Sequence, residues 1–101
     1  KRWPVSSGIV GRAIRTGEPQ LVLDVANDPD FFGMDPKITC EYAVPLRFQG
    51  RIVGAFNVES DNREVMAEEN LALFRTIAEQ VVAVIPRTPT GSSPPSRCGI
   101  P

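Results

Sequence analysis

The chain predicts an α+β fold, an antiparallel β-sheet with helices on its faces. Three observations carry that expectation. Residues 38–60, "ITCEYAVPLRFQGRIVGAFNVES", hold two runs of β-favouring residues with Gln49-Gly50 between them, the two-residue form of a tight hairpin. Residues 67–85, "AEENLALFRTIAEQVVAVI", repeat apolar residues every three or four positions, as an amphipathic helix does. Residues 86–101, "PRTPTGSSPPSRCGIP", are a different material: twelve of the sixteen are Pro, Gly, Ser or Thr. Such a segment buries too little apolar surface to offset its ordering entropy. The chain therefore divides into one small domain, residues 1–85, and a disordered tail or linker, residues 86–101.

Taken in order, the first element is "SSGIVGRAIRTGEPQ", a short helix. Ser6 or Ser7 can cap it, Ile9, Val10, Ala13 and Ile14 form its apolar side, and Gly17 stops it. "PQLVLDV" follows as a short strand. "ANDPDFFGMDPK" is a loop or a single helical turn, punctuated by Pro29, Gly33 and Pro36. The hairpin comes next, and the long helix closes the domain. In that helix Leu71, Phe74, Ala78, Val81 and Ile85 make the apolar stripe, Ile77, Val82 and Val84 widen it, and Arg75, Glu79 and Gln80 form the wet side. The stripe is wide enough to leave two outcomes open, burial on the sheet alone or partly against another helix. Glu68 and Glu69 suit the first turn through the helix dipole, although Met66 or Ala67 stands where a capping side chain would help. Pro86 ends it.

If Phe48 and Arg51 flank the turn, hairpin partners sum to 99: Leu46 faces Val53, Val44 faces Ala55 and Tyr42 faces Asn57. Alternation then sends Ile52, Gly54, Phe56 and Val58 one way, and Val53, Ala55, Asn57 and Glu59 the other. The first set is apolar and is expected under the closing helix. The second is apolar near the turn and polar at its far end, as a small-ligand pocket requires and as an ordinary solvated strand end also shows. Pro45 interrupts the first strand and invites a bulge, which would turn Glu41 to the face of Asn57 and Glu59.

Composition excludes several classes. With 11 Lys and Arg against 12 Asp and Glu, the net charge is -1, which gives no electrostatic case for nucleic acid or an anionic membrane. No apolar run approaches the roughly 20 residues of a membrane span, and no signal peptide is visible, so a cytoplasmic protein is expected. Cys40 and Cys98 read as two reduced thiols. Histidine is absent, which removes the commonest general base and zinc ligand.

The ordered set of "SSGIVGRAIRTGEPQLVLDVANDPDF", "CEYAVPLRFQGRIVGAFNVES" and "EENLALFRTIAEQVVAVI" resembles the later two thirds of a GAF domain. The pattern Gly8, Gly11, Thr16-Gly17, then Asp24-Val25, Val44-Pro45-Leu46, Gly50 and Gly54 carries the resemblance over roughly residues 5–85. It implies a GAF-like (PAS-like) sheet with terminal helices on one face and a pocket on the other. The family's leading helix and first strands are expected before residue 1, so the domain reads as incomplete at its N-terminus. The family's enzyme branch, the free methionine-(R)-sulfoxide reductases, would place catalytic cysteines at Val10 and Met34, where no thiolate can form. Its substrate-holding acids would match Glu41, Asn57 and Glu59, with Glu41 kept, Glu59 a longer acid and Asn57 without the charge. The cyclic-nucleotide branch is matched by Asn27, Phe31 and Asp35 but not by Asp28 and Pro36. The bilin branch is expected to need a Cys next to a His.

The expected function is a non-catalytic, small-molecule-sensing regulatory domain of a signalling protein, with a ligand-free dimerisation module or a reductase relative as the alternatives. The ligand-binding set is Glu41, Tyr42, Asn57, Phe31, Phe32 and Asp35, with no catalytic residue, metal or cofactor. The partners expected are an unknown small molecule, and an effector domain of the same chain or a homodimer partner reached through the helix at 67–85.

Overall fold

A computed structural model describes residues 8–33 and 35–86. The possible caps Ser6 and Ser7, Met34, Cys98 and the tail beyond Pro86 lie outside those residues. Helix α1 (Gly8–Thr16) is followed by strand β1 (Gln20–Val22), a single 3-10 turn (Val25–Asn27), strands β2 (Cys40–Phe48) and β3 (Arg51–Ser60), a second 3-10 turn (Arg63–Met66) and helix α2 (Glu68–Ala83). The strands form one antiparallel sheet in the order β1-β2-β3. An α+β arrangement, an antiparallel sheet with helices packed on it, is therefore what the chain adopts.

The hairpin turns on Gln49 (φ 52°) and Gly50 (φ 80°). Positive φ at both central residues is the type I′ turn, whose twist matches that of the flanking strands. Gly17 (φ 73°) ends α1 in the left-handed region, and its N–H donates to the Ala13 carbonyl at 2.8 Å.

Register is where the expectation and the structure part. Phe48 pairs with Arg51 and Arg47 with Ile52, as the sum of 99 requires. From there Leu46 pairs with Gly54, Val44 with Phe56 and Tyr42 with Val58. Val53 is the extra residue, and the bulge falls between Leu46 and Arg47 rather than at Pro45. The consequence foreseen for a bulge still follows, because one inserted residue anywhere between the turn and Glu41 reverses the parity upstream. Glu41 faces Glu59 and Ala43 faces Asn57. Pro45 fits within β2 because β1 pairs only with Glu41, Tyr42 and Ala43, so its flank has no strand to donate to.

The sheet separates two cores. On one face Cys40, Tyr42 and Val44 pack with Met66, Leu71 and Ala78, joined by Phe56, Val58 and Phe74. On the other, Ala43 and Val22 pack with Ile9 and Ala13 of α1 and with Val25, joined by Val10, Phe31 and Ile38. Phe56 and Val58 thus meet the closing helix as expected.

The stripe of α2 needs two corrections. Leu71 and Ala78 are buried, but Val81 is 41% exposed. The sheet-facing row continues through Val82, because helical positions 71, 75, 78 and 82 stay on one side while 81 rotates away. Arg75, expected on the wet side, sits in that row, and its Nη1 donates to the Tyr42 hydroxyl at 3.0 Å. Ala67 stands at the N-cap with no side-chain hydrogen bond.

Candidate functional site

The α1 face carries an unusual burial. Glu41 lies on β2 at 4% exposure, the one charged side chain among the buried residues described. Its Oε2 accepts a hydrogen bond of 3.0 Å from Asn57 Nδ2 on β3, and Glu59 stands opposite it in the ladder. Burial pushes the Glu41 carboxyl up to about 7, and the like charge of Glu59 pushes the same way. The Asn57 amide opposes the shift, Asp28 adds to it, and Arg12 works against it.

Beside this carboxyl lies a cavity of about 200 Å³ lined by Gly8, Ile9, Val10, Phe32, Glu41, Asn57 and Glu59. The walls have separate origins. Gly8, Ile9 and Val10 come from the first turn of α1, whose buried Ile9 and Ala13 seat it on the sheet. Phe32 comes from the loop after the first 3-10 turn. The floor is the polar end of β2 and β3. Apolar walls around a few convergent polar groups suit a small molecule that presents a hydrogen-bond donor or a cation.

The structure sorts the sequence-derived residues. Glu41, Asn57 and Phe32 come together at this cavity. Phe31, next in the chain, turns into the α1-side core instead. Tyr42 is separated from the set altogether: the register places it on the opposite face, against Phe74 at a ring-centroid distance of 6.5 Å. Asp35 is exposed and accepts the Lys37 backbone N–H at 2.9 Å, closing its own turn away from the cavity lining. Cys40 is fully buried in the α2-side core, where its Sγ donates to the Ser60 carbonyl at 3.4 Å.

Sequence reasoning missed Arg12. Its Nη1 and Nη2 donate to the two carboxylate oxygens of Asp28 at 3.0 Å each, its Nη1 also to Asp30 Oδ2 at 3.0 Å, and its Nε to Gln20 Oε1 at 2.9 Å. The guanidinium holds the Asp28 carboxyl below its ordinary range, and that carboxylate in turn raises Arg12. The only available signal was the acid pair of "NDPD" with two arginines in the preceding helix, which an ordinary solvated face also shows.

A larger groove of about 350 Å³ runs between β2 and α2, lined by Val44, Pro45, Leu46, Arg47, Arg75, Ala78, Glu79 and Val82. None of its lining side chains is a buried carboxyl, since its one acid, Glu79, is exposed. The smaller cavity is the better candidate, because it places a nearly inaccessible ionisable group, Glu41, against open space. Among the described residues, no group of three or more His, Cys, Asp or Glu side chains could hold a metal ion, and no helix is long and apolar enough to cross a membrane.

Comparison with known proteins places this geometry in context. The family model described as "GAF domain" matches residues 1–85. Protein YtsP of Bacillus subtilis (strain 168) is 29% identical over 85 residues, covering 81% of this chain and 52% of that protein. The type II free methionine-R-sulfoxide reductase of Thermoplasma acidophilum superposes with a TM-score of 0.73 at 24% identity, covering 79% of this chain and 57% of that one. The GAF domain of a phosphoenolpyruvate-protein phosphotransferase from Coxiella burnetii superposes at 0.70 with 22% identity, covering 82% and 52%. At those identities the two structures show the fold alone. The chain spans about half the length of the proteins it matches.

Proposed function

The chain belongs to the GAF domain family, and from that premise we propose that it is a small-molecule-sensing regulatory domain of a cytoplasmic signalling protein, with no catalytic role. The observation that carries this reading is Glu41, a carboxyl 4% exposed beside a cavity of about 200 Å³. Burying an ionisable group whose one hydrogen-bond partner among the described residues is the Asn57 amide is expensive, and such groups concentrate where a ligand uses them.

The signal leaves through β2. Glu41 faces the ligand, and the next residue, Tyr42, faces α2, where its hydroxyl is bound by Arg75. A ligand that binds one setting of the strand better than another shifts the populations of both, and the Tyr42–Arg75 bond carries that shift to α2 and to whatever α2 joins. No catalysis is proposed, because the wall nearest the carboxyls includes Val10, a hydrocarbon at the position where the reductase branch would supply a thiol. A ligand-free dimerisation module joined through α2 is the second reading, favoured by the exposure of Leu73, Val81 and Val84.

Mass spectrometry of small molecules released from the purified protein, followed by calorimetric titration of any found, tests this function. We expect a bound small molecule whose affinity falls about tenfold or more on Glu41→Ala, the loss of one charge-assisted hydrogen bond, and falls on Phe32→Ala. The same preparation should not reduce free methionine sulfoxide with a dithiol. Two results would overturn the proposal: unchanged affinity in both folded variants, or turnover that Cys40→Ser abolishes. A protein that releases no small molecule but is dimeric would select the second reading.

A further inference from the structure

We propose that Arg12 is a positioning residue of the cavity, holding through Asp28 and Asp30 the loop that walls it with Phe32 and keeping the Asp28 charge from acting freely on Glu41. This rests on the reading of the cavity as a ligand site for its meaning, but its test does not need the ligand.

The geometry has three parts. First, Arg12 turns both terminal nitrogens to one short segment. Nη1 and Nη2 donate to the carboxylate of Asp28 as a parallel fork, Nη1 also reaches Asp30, and Nε anchors the side chain to Gln20 at the start of β1. A planar fork of this kind fixes orientation as well as distance. Second, that segment is folded on the same carboxylate. The Asp30 backbone N–H donates to Asp28 Oδ1 at 2.9 Å, and the Phe31 N–H donates to the Asp28 carbonyl at 3.3 Å. The next two side chains are Phe31, packed into the α1-side core, and Phe32, at the cavity. Third, the clamp is charged and lies in the field of the cavity's acid. The charged groups acting on Glu41 are Glu59 from β3, Asp28 from the loop and Arg12 from α1, while Asn57 is its hydrogen-bond donor. Arg12 thus acts on Glu41 twice: as a cation, and as the partner that neutralises Asp28.

A merely structural arginine would hold the loop and leave the Glu41 titration to local burial. The proposal requires more. With the side-chain carboxyl of Glu41 followed by NMR across pH 4–9 in the intact chain, the wild-type resonance is expected to titrate at about 7. Arg12→Gln should move that midpoint upward, because the cation is lost and Asp28 is left unneutralised. Asp28→Asn should move it downward, because an anion is lost, although it loosens the same loop. Arg12→Lys should keep the midpoint near the wild type while losing the fork. All three variants should speed exchange of the Asp30 and Phe31 amides, by about tenfold or more. Opposite midpoint shifts in Arg12→Gln and Asp28→Asn are the decisive result. Shifts of the same sign, or an unmoved midpoint in a folded Arg12→Gln protein, would overturn the proposal. If Arg12→Gln does not fold, Arg12→Lys and Asp28→Asn still decide it: a downward shift in Asp28→Asn with none in Arg12→Lys supports it, and the absence of a shift in Asp28→Asn overturns it. Ligand affinity that ignores both Glu41→Ala and Phe32→Ala would refute the ligand site and leave this result standing.

Discussion

The two faces of the central sheet solve the same packing problem in opposite ways. Toward α2, β2 presents Cys40, Tyr42 and Val44, which close against Leu71 and Ala78. The one polar atom of consequence there, the Tyr42 hydroxyl, is bound by Arg75. Toward α1, the same strand presents Glu41 and Ala43, and Glu41 ends beside a cavity. A face built for stability fills its space with hydrocarbon and gives each polar atom a partner. The α1 face keeps an ionisable group nearly dry with two carboxylates in its field, an arrangement that destabilises the ligand-free domain. The difference teaches where this domain gives up stability, and that place is the candidate site.

The largest effect should come from breaking the filled face. Leu71→Ala removes a buried side chain 6% exposed from the α2-side core, and urea denaturation should show a loss of about 2–5 kcal/mol. A loss below about 1 kcal/mol would mean that the α2 face is not the stabilising one.

Next in size is the reverse change on the other face, converting the buried acid to a neutral isostere. The Glu41 carboxyl keeps its proton up to about 7 when folded, against 4.5 for the ordinary side chain. Below 4.5 both states are protonated and the group contributes nothing. Between 4.5 and 7 the folded state binds more protons than the unfolded one, so stability falls as pH rises. Above 7 the full penalty stands, on the order of 3 kcal/mol. Glu41→Gln should therefore leave stability unchanged near pH 4.5 and raise it progressively to pH 8, by up to about 3 kcal/mol. Denaturation curves for the two proteins that stay parallel across this range would show that the carboxyl is not desolvated. Asp28 behaves oppositely, since Arg12 holds its carboxyl below the ordinary 3.8, and its contribution is lost only in more acid solution.

The smallest effect should lie at the hairpin turn, which belongs to neither face. Gln49 holds φ at 52°, a conformation that asparagine and glycine adopt with less strain. Gln49→Asn should raise stability by about 0.5–1 kcal/mol with no change in pH dependence. A change in pH dependence would show that the turn communicates with Glu41.

Much of this molecule was legible before its structure. Phe56 and Val58 announced the α2-side core by alternation, and Gln49-Gly50 announced the turn by its chemistry. The polar end of β3 pointed to Asn57, and Pro45 raised the prospect of a bulge that would bring Glu41 beside it. Other features were not legible. Tyr42 and Glu41 are neighbours and looked equally suited to a pocket, yet they point to opposite faces. Asp35 looked like a binding acid because it sits in an acid-rich loop, yet it folds back on its own backbone. Phe31 and Phe32 could not be told apart, and Arg12 looked like any exposed helical cation.

Those successes and failures divide along one physical line. Periodicity, turn chemistry and composition act over a few residues, so the chain alone determined its helices, its hairpin, the apolar purity of one sheet face and the acid excess near the other. Strand parity depends on pairing across the hairpin. One extra residue, Val53, in the pairing of β3 with β2 decided that Glu41 and not Tyr42 meets the cavity. The Arg12 clamp joins residues 16 and 18 positions apart, and only the packing of α1 on the sheet brings them within reach, because no local rule specifies a contact made through the fold.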